Sequence, residues 1–110
     1  GAIISNDGAS TWAHSQGFEP SVSETKMLAD FYSDVNKVKI GKSLTLNGVW
    51  YSIHLADGRS VYGLREGAGV LTRITKKTIV IGTYDEENKN REGAGNAVQN
   101  IADYLISLGY

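Results

Sequence analysis

The fold of this chain is decided by residues 43–84, which read SLTLNGVWYSIHLADGRSVYGLREGAGVLTRITKKTIVIGTY. Asn47-Gly48 and Asp57-Gly58 are typical of two-residue hairpin turns, because these residue types tolerate positive φ. Gly67-Ala68-Gly69 and Lys76-Lys77 are predicted to turn the chain twice more. Between these turns the sequence predicts five strands, at 43–46, 49–55, 59–64, 70–75 and 78–84. Consecutive strands in hairpin order form an antiparallel meander.

The second of these strands is predicted to have two different faces. Three apolar side chains alternate with three neighbours of mixed character: Tyr51, Ile53 and Leu55 against Trp50, Ser52 and His54. Because successive side chains of a strand point to opposite sides, each set of three is expected to share one face.

A strand pair and a helix are predicted before the meander. Residues 1–5 are mostly apolar, Asn6-Asp7-Gly8 supplies a turn, and residues 10–15 read as the returning strand. Ser21 and Glu24 then have the S-x-x-E spacing of a capping box. Apolar residues repeat at helical spacing behind them, so a helix is expected at 22–33.

After the meander the chain is polar and then amphipathic. Apolar side chains recur at helical spacing and predict a second helix at 95–108, with Gly109 as its stop signal: Val98, Ile101, Leu105 and Leu108. The predicted fold class is therefore α+β. It is a single domain over 1–110, with about seven strands and with helices before and after the meander.

Composition excludes several classes of function. Eleven Lys and Arg against twelve Asp and Glu give a formal charge of −1, which argues against a nucleic-acid-binding protein. No apolar run approaches the roughly 18–20 residues of a membrane span. The chain has no cysteine, so disulfides, thiol nucleophiles and thiolate metal sites are excluded.

No catalytic motif of the G-x-S-x-G, H-E-x-x-H or G-x-G-x-x-G kind is present. His14 and His54 are interpreted as ordinary strand residues, and the acidic residues 85–87 as a solvated loop rather than a cation site. The segment Arg-Glu-Gly-Ala-Gly occurs at both 65–69 and 91–95, and we interpret both copies as turns. Gly93-Ala94-Gly95 is read as a flexible helix start rather than an anion site. The chain is predicted not to be an enzyme and to need no cofactor or metal.

Four segments resemble profilins in order and position. Residues 69–87 resemble the paired strands before the last profilin helix, and residues 103–110, DYLISLGY, resemble the profilin C-terminus, especially in plant-type members. Residues 7–13, DGASTWA, are similar to the family's D-G-x-V-W-A strand pair. Asp30-Phe31, followed by residues 44–48, is similar to its D-F … L-x-L-G-G stretch. The Lys-rich loop at 34–43 and a single proline depart from the plant-type pattern and suggest an archaeal-type relative.

This resemblance implies the profilin fold, a central antiparallel sheet with helices on both faces. It also implies a monomeric cytoplasmic protein that binds monomeric actin and regulates filament assembly. The actin-binding positions that it implies are Ile40, Lys42, Arg65, Arg73, Lys76, Gly93, Asn96 and Gln99. Arg65 is the strongest single prediction among them, because its planar guanidinium could pair with a carboxylate on actin.

The resemblance also implies recognition of proline-rich segments by stacked aromatic side chains. The matching positions are Trp12, Tyr104 and Tyr110. Their family counterparts on an N-terminal helix are missing from this sequence, so we expect such a helix upstream of Gly1. Acidic phosphoinositides are a further implied partner, through basic side chains at Lys37, Lys39, Arg73, Lys76 and Lys77.

Two other classes of function stay open at this point. A small sensor or adaptor domain of similar layout would dimerise or hold a small ligand, and would show self-association or a closed apolar pocket. A small hydrolase or isomerase would use His14 or His54, and would place one of them beside a carboxylate in a cleft.

Overall fold

A computed structural model describes residues 1–33, 43–84 and 91–110. These residues form seven strands and two helices: β1 Ala2–Ser5, β2 Thr11–His14, α1 Val22–Ser33, β3 Ser43–Leu46, β4 Val49–Ala56, β5 Ser60–Arg65, β6 Ala68–Ile74, β7 Thr78–Tyr84 and α2 Arg91–Ser107. The strands form one sheet in the order β2-β1-β7-β6-β5-β4-β3, and every neighbouring pair is antiparallel. The predicted α+β class, the seven strands and the C-terminal meander are confirmed.

The two helices cover opposite faces of this sheet. Along β7, Ile79 and Ile81 pack into the core with α1, whereas Val80 between them packs with Val98 and Ala102 of α2. Successive strand side chains point to opposite sides, so the sheet separates the two cores. We call these sides the α1 face and the α2 face. The helices on both faces that the resemblance implied are confirmed.

Buried apolar side chains and one buried hydroxyl fix α1 to its face. Leu28 and Phe31 are almost completely buried, and burial of each such side chain contributes about 1.5–3 kcal/mol to folding. The Tyr32 hydroxyl lies 2.6 Å from Thr72 Oγ1, which donates in turn to the Val61 carbonyl. Burial raises the pKa of Tyr32, so its hydroxyl stays protonated in this contact.

The two strongest turn signals form different turns. At Asn47-Gly48 both residues have positive φ, 55° and 76°, as the predicted two-residue hairpin requires. At Asp57-Gly58 only Gly58 has positive φ, and the connection spans residues 57–59. The Asp57 carboxylate accepts hydrogen bonds from the main-chain N–H groups of Arg59 and Ser60, which stabilises this longer turn. The two-residue prediction was therefore wrong at this position.

A β-bulge at His54 changes which face Leu55 occupies. Ile53 lies opposite Gly63, but Leu55 lies opposite Tyr62, so His54 is an extra residue in β4. Ile53 therefore stays in the core of the α1 face, whereas Leu55 is exposed. The prediction that Leu55 shares a face with Tyr51 and Ile53 was wrong, because strict alternation cannot anticipate a bulge.

The two copies of Arg-Glu-Gly-Ala-Gly adopt different structures. In 65–69 the turn centres on Gly67, with φ 72°, and β6 already begins at Ala68. In 91–95 the segment is the first part of α2, so Gly93 and Gly95 are helical. The predicted helix start at 95, and the interpretation of 93–95 as a turn, were wrong. Each helical glycine costs about 1 kcal/mol relative to alanine, and packing of α2 through Val98 and Ala102 offsets that cost.

Glu24 joins the start of α1 to the β3–β4 turn. It forms the predicted capping box, in which Ser21 N–H donates to Glu24 Oε1 at 2.8 Å and Glu24 N–H donates to Ser21 Oγ at 3.2 Å. The same carboxylate accepts from Asn47 N–H and Gly48 N–H, both at 2.9 Å. Partial burial raises the pKa of Glu24, but the N–H donors of Gly48, Ser21 and Asn47 outweigh burial and hold the pKa below its usual value.

We expect Glu24→Gln to lower the free energy of unfolding by about 1–2 kcal/mol at pH 7, the low end for charge-assisted hydrogen bonds because water screens this site. A lowered pKa in the folded state stabilises the protein above the unfolded value. That contribution is lost as pH falls below about 4. The difference between wild type and variant should therefore shrink in acid, as urea titrations at pH 7 and pH 3 would measure. Glu19→Gln, in the adjacent exposed loop, is the control, and equal effects of both variants would contradict the assignment.

Candidate functional site

A hydrogen-bonded chain of side chains links β6 to α2. Arg73 projects from the α2 face of β6, and its Nη1 donates to Gln99 Oε1 at 3.0 Å. Gln99 Nε2 donates to Asp103 Oδ1 at 2.8 Å, one helical turn further on. Asn96 is exposed three residues before Gln99, on the same side of the helix. Of the predicted actin-binding residues, the structure thus brings together Arg73, Asn96 and Gln99.

An apolar surface lies on the α2 face beyond the edge of α2. The helix packs mainly on β6 and β7, so neither described helix covers part of β4 and β5. Trp50 is 54% exposed there and Leu55 is 39% exposed, while Tyr62 is partly buried against the α2 core. We call this surface the open patch, which comprises Trp50, Leu55, Tyr62, Arg73, Asn96 and Gln99.

Trp50 and Leu55 were not among the binding residues predicted from the sequence. A signal existed for Trp50, because it alternates with Tyr51, a core residue of the α1 face, and so must point away from that core. A large aromatic side chain on the outer side of a strand is a feature of binding surfaces. No local signal marks the bulge that exposes Leu55.

Arg65 lies at the rim of this surface. It pairs with Ala68, which packs against the core of the α1 face, so its side chain leaves β5 on that side. Its guanidinium carbon nevertheless lies 6.0 Å from the centroid of the Trp50 ring, within the range of a cation–π contact. Arg65 and Arg73 therefore leave the sheet on different faces, and Trp50 is the neighbour that connects Arg65 to the open patch.

Other predicted positions lie elsewhere. Lys76 stands in the β6–β7 turn, at the far end of the seven-residue strand β6 from Arg65, about 20 Å away along the strand. Gly93 lies inside α2. Several predicted residues fall outside the part of the chain that the structure describes: Ile40, Lys42, Lys37, Lys39 and the acidic residues 85–87. The phosphoinositide site stays a prediction, with only Lys76 and Lys77 adjacent among its described members.

Trp12 and Tyr110 form an aromatic pair near the β6–β7 turn. Their ring centroids are 5.6 Å apart in an edge-to-face arrangement. Gly109, with φ 89°, ends α2 in a Schellman motif, in which Tyr110 N–H donates to the Leu105 carbonyl and Gly109 N–H to that of Ile106. The predicted stop signal thus forms, and it directs Tyr110 towards Trp12.

Hydrogen bonds to the main chain hold Tyr110 in this position. The Tyr110 main-chain oxygen accepts from Thr75 Oγ1 at 3.0 Å and from the Lys77 N–H. Lys77 Nζ lies 5.5 Å from the centroid of the Tyr110 ring. The aromatic pair therefore has a cation beside it.

Tyr104, the third predicted aromatic residue, stands apart from this pair. It is 64% exposed on α2 and makes no ring contact with Trp12 or Tyr110. Next to its side of the helix runs a groove of about 370 Å³ with a mainly apolar lining that includes Ile3, Ala13, Val80 and Ile101. The structure joins two of the three predicted aromatics directly.

Within residues 1–33, 43–84 and 91–110, no group of three or more acidic or histidine side chains could hold a metal ion. In the same ranges, neither helix is long and apolar enough to cross a membrane.

Known proteins are similar to this chain in sequence and in fold. The family model described as Profilin matches residues 1–110. Profilin-2 of Acanthamoeba castellanii is 43% identical over 110 residues, which cover 99% of this chain and 84% of that protein. The profilin of Schizosaccharomyces pombe is 36% identical over 109 residues, with the same coverage.

Solved structures of profilins are also similar to this chain. Schizosaccharomyces pombe profilin crystallized from sodium formate matches with a TM-score of 0.88 at 35% identity, over 99% of this chain and 85% of that one. A complex of LokiProfilin2 with rabbit actin matches with a TM-score of 0.70 at 21% identity, over 97% and 83%. The second likeness shows the fold. An archaeal-type origin stays a prediction.

Proposed function

Because this chain belongs to the profilin family, whose members are non-enzymatic actin-binding proteins that regulate filament assembly, we propose that it binds monomeric actin through the open patch. The LokiProfilin2 structure is itself a complex with actin, so the fold is compatible with this partner. The protein then acts by covering one face of actin and carries out no chemistry of its own. We place it in the cytoplasm with other profilins.

The hydrogen bond between Arg73 and Gln99 is the observation that supports this surface most. It holds a cation against α2, on the strand next to Tyr62. The exposed ring of Trp50 lies further along the same face of the sheet, towards Arg65. A guanidinium has five N–H donors in a fixed fork, so Arg73 keeps donors for an acidic partner while it is bound to Gln99. An apolar centre beside charged and amide groups is the usual composition of a protein interface.

Binding at this patch would regulate actin by favouring one of its conformations. A ligand shifts a conformational equilibrium only by its differential affinity for the two states. Any effect on nucleotide exchange would therefore arise because the bound protein favours one conformation of actin. An interface of standard size, about 800 Å² per partner, suffices for this role.

We expect Arg73→Glu to weaken binding to monomeric actin by about 10- to 30-fold, since charge reversal replaces attraction to a carboxylate by repulsion. Sedimentation of the complex with increasing protein concentration would measure this. Lys26→Glu is the matched control, because Lys26 is exposed on α1, on the other side of the sheet. Equal weakening by both variants would indicate a general charge effect and would contradict the open patch as the site. Arg65→Glu should weaken binding less than Arg73→Glu, given its place at the rim.

Recognition of proline-rich segments is a second proposed function, at the Trp12–Tyr110 pair. Polyproline II ligands dock on aromatic side chains that present their rings at the surface. Trp12 is 48% exposed and Tyr110 38% exposed, and the edge-to-face contact fixes the angle between the two rings. Calorimetric titration with a neutral peptide of ten prolines flanked by serines tests this function, and no binding would reject it.

The sensor or adaptor alternative has less support. The chain belongs to a family of another function, and the groove beside α2 is open to solvent rather than closed. A sedimentation measurement on the protein alone tests the predicted monomer.

A further inference from the structure

Lys77 has an unusual position among the basic residues, because its ammonium group lies over an aromatic ring of the proposed proline-binding pair. Nζ is 5.5 Å from the centroid of Tyr110. Among the described residues, no carboxylate lies within ion-pair distance of Lys77. The exposed ammonium group therefore faces water and the π-electrons of this ring.

The main chain fixes where this cation stands. Lys77 N–H donates to the Tyr110 main-chain oxygen, and the Lys77 carbonyl accepts from Asn6 N–H at 2.9 Å. Asn6 Nδ2 also donates to the carbonyl of Lys76 at 2.8 Å. The β6–β7 turn, the β1–β2 turn and the end of α2 are thus tied together, so the Lys77 side chain starts from a fixed point beside Tyr110.

A neutral ligand and an acidic ligand would meet this lysine differently. A proline ring that stacks on Tyr110 competes with the ammonium group for the ring surface and offers it no new partner. A carboxylate in the same ligand would accept a charge-assisted hydrogen bond from Nζ, which is stronger than its contact with an exposed ring. The exchange frees the ring for the proline and gives the cation a better partner.

We propose that Lys77 makes the Trp12–Tyr110 pair selective for proline-rich segments that carry an acidic residue next to the prolines. This inference rests on the second proposed function and names the class of peptide that the site prefers. Charge complementarity favours this occupant, because the Lys77 side chain is exposed and its ammonium group attracts a carboxylate. A basic segment would be disfavoured at the same place.

Three blocked peptides of equal length test the proposal by calorimetric titration. Each contains ten prolines, with two serines, two glutamates or two lysines at both ends. The wild type should bind the Glu-flanked peptide about three- to five-fold more tightly than the Ser-flanked one, as expected for a single exposed ion pair. The Lys-flanked peptide should bind more weakly than both. High salt should remove the differences.

Three variants locate the effect. Lys77→Gln should bring the ratio of the Glu-flanked to the Ser-flanked affinity close to one, whereas Lys77→Arg and the neighbouring Lys76→Gln should keep it. Its main-chain bonds do not involve the side chain, so Lys77→Gln should remain folded. An equal loss of preference in Lys76→Gln would indicate a diffuse basic surface, of the kind that also attracts acidic lipid vesicles, and would overturn the role of Lys77. Equal wild-type binding of all three peptides would overturn the selectivity but keep the second proposed function. Failure of all three to bind would reject that function and the inference with it.

Discussion

Replacement of Gly8 by alanine should lower the free energy of unfolding by about 3 kcal/mol or more, a large part of the stability of a small domain. Gly8 has φ 73°, a conformation that costs a residue with a side chain about 1–2 kcal/mol. A Cβ at this position would lie 2.4 Å from the Thr25 carbonyl oxygen and 2.7 Å from Lys26 Cα. Both atoms belong to the backbone of α1, so the helix itself would have to move, at a further cost of about 1–3 kcal/mol.

Gly48→Ala separates these two contributions. Gly48 has nearly the same φ, 76°, but no atom of the described residues lies within 4 Å of the Cβ that alanine would add. This variant should therefore cost only the conformational part, about 1–2 kcal/mol. Urea unfolding of both variants measures the difference. Equal losses of stability would show that α1 does not need its close approach to the β1–β2 turn.

The close approach also explains why α1 is positioned as it is. Thr25 Oγ1 donates to the Gly8 carbonyl at 2.6 Å in a buried contact, so the helix and the turn share a hydrogen bond at the point where they touch. The Asp7-Gly8 pair could be predicted as a turn from its residue types alone. That a helix seventeen residues later would pack against it, and so exclude any side chain at position 8, could not be read from local sequence.

Local signals were sufficient where one segment determines its own structure. The capping box of Ser21 and Glu24 formed as predicted, since its two hydrogen bonds lie within four residues. The additional bonds from Glu24 to Asn47 and Gly48 could not be predicted, because they join residues that are distant in sequence. The same distinction explains the start of α2 at Arg91, where packing on the sheet overrides two glycines.

The repeated segment Arg-Glu-Gly-Ala-Gly shows that flanking residues determine the structure of a short segment. Five identical residues form a hairpin turn at 65–69 and the first part of a helix at 91–95. The flanking residues differ: strands with a two-residue period surround the first copy, and an apolar stripe with helical spacing follows the second. The five residues alone therefore predicted the turn at 65–69 but not the helix at 91–95, and the periodicity of the flanking residues distinguishes the two copies.

For the candidate site, individual residues could be predicted from the sequence, but not which of them lie close together. Arg73, Asn96 and Gln99 meet because β6 packs beneath α2, which the strand order determines. Arg65 falls at the rim because strand alternation places it on the other face from Arg73. Trp50 adds an exposed aromatic side chain from β4, a strand that contributed no residue to the predicted set.

Trp50→Ala should weaken binding of monomeric actin by about 100-fold, the largest effect that we expect for any single substitution in the open patch. Interface energy concentrates in a few aromatic and arginine side chains, and removal of such an anchor costs about 2–4 kcal/mol. Trp50 is 54% exposed in the free protein, so an actin surface can still bury much of the ring. Because the indole is not part of either core, the substitution should leave the free energy of unfolding nearly unchanged.

Met27→Ala is the matched control for this prediction. Met27 is 49% exposed on α1, so its truncation removes a similarly exposed apolar side chain from the opposite side of the sheet. Actin titrations of both variants, and of the Trp50→Ala/Arg65→Ala double variant, measure the contribution of each group. If Arg65 acts through its contact with the indole, the double variant should bind no more weakly than Trp50→Ala alone. Additive losses would instead give Arg65 its own contact on actin, and unchanged binding by Trp50→Ala would move the interface away from β4.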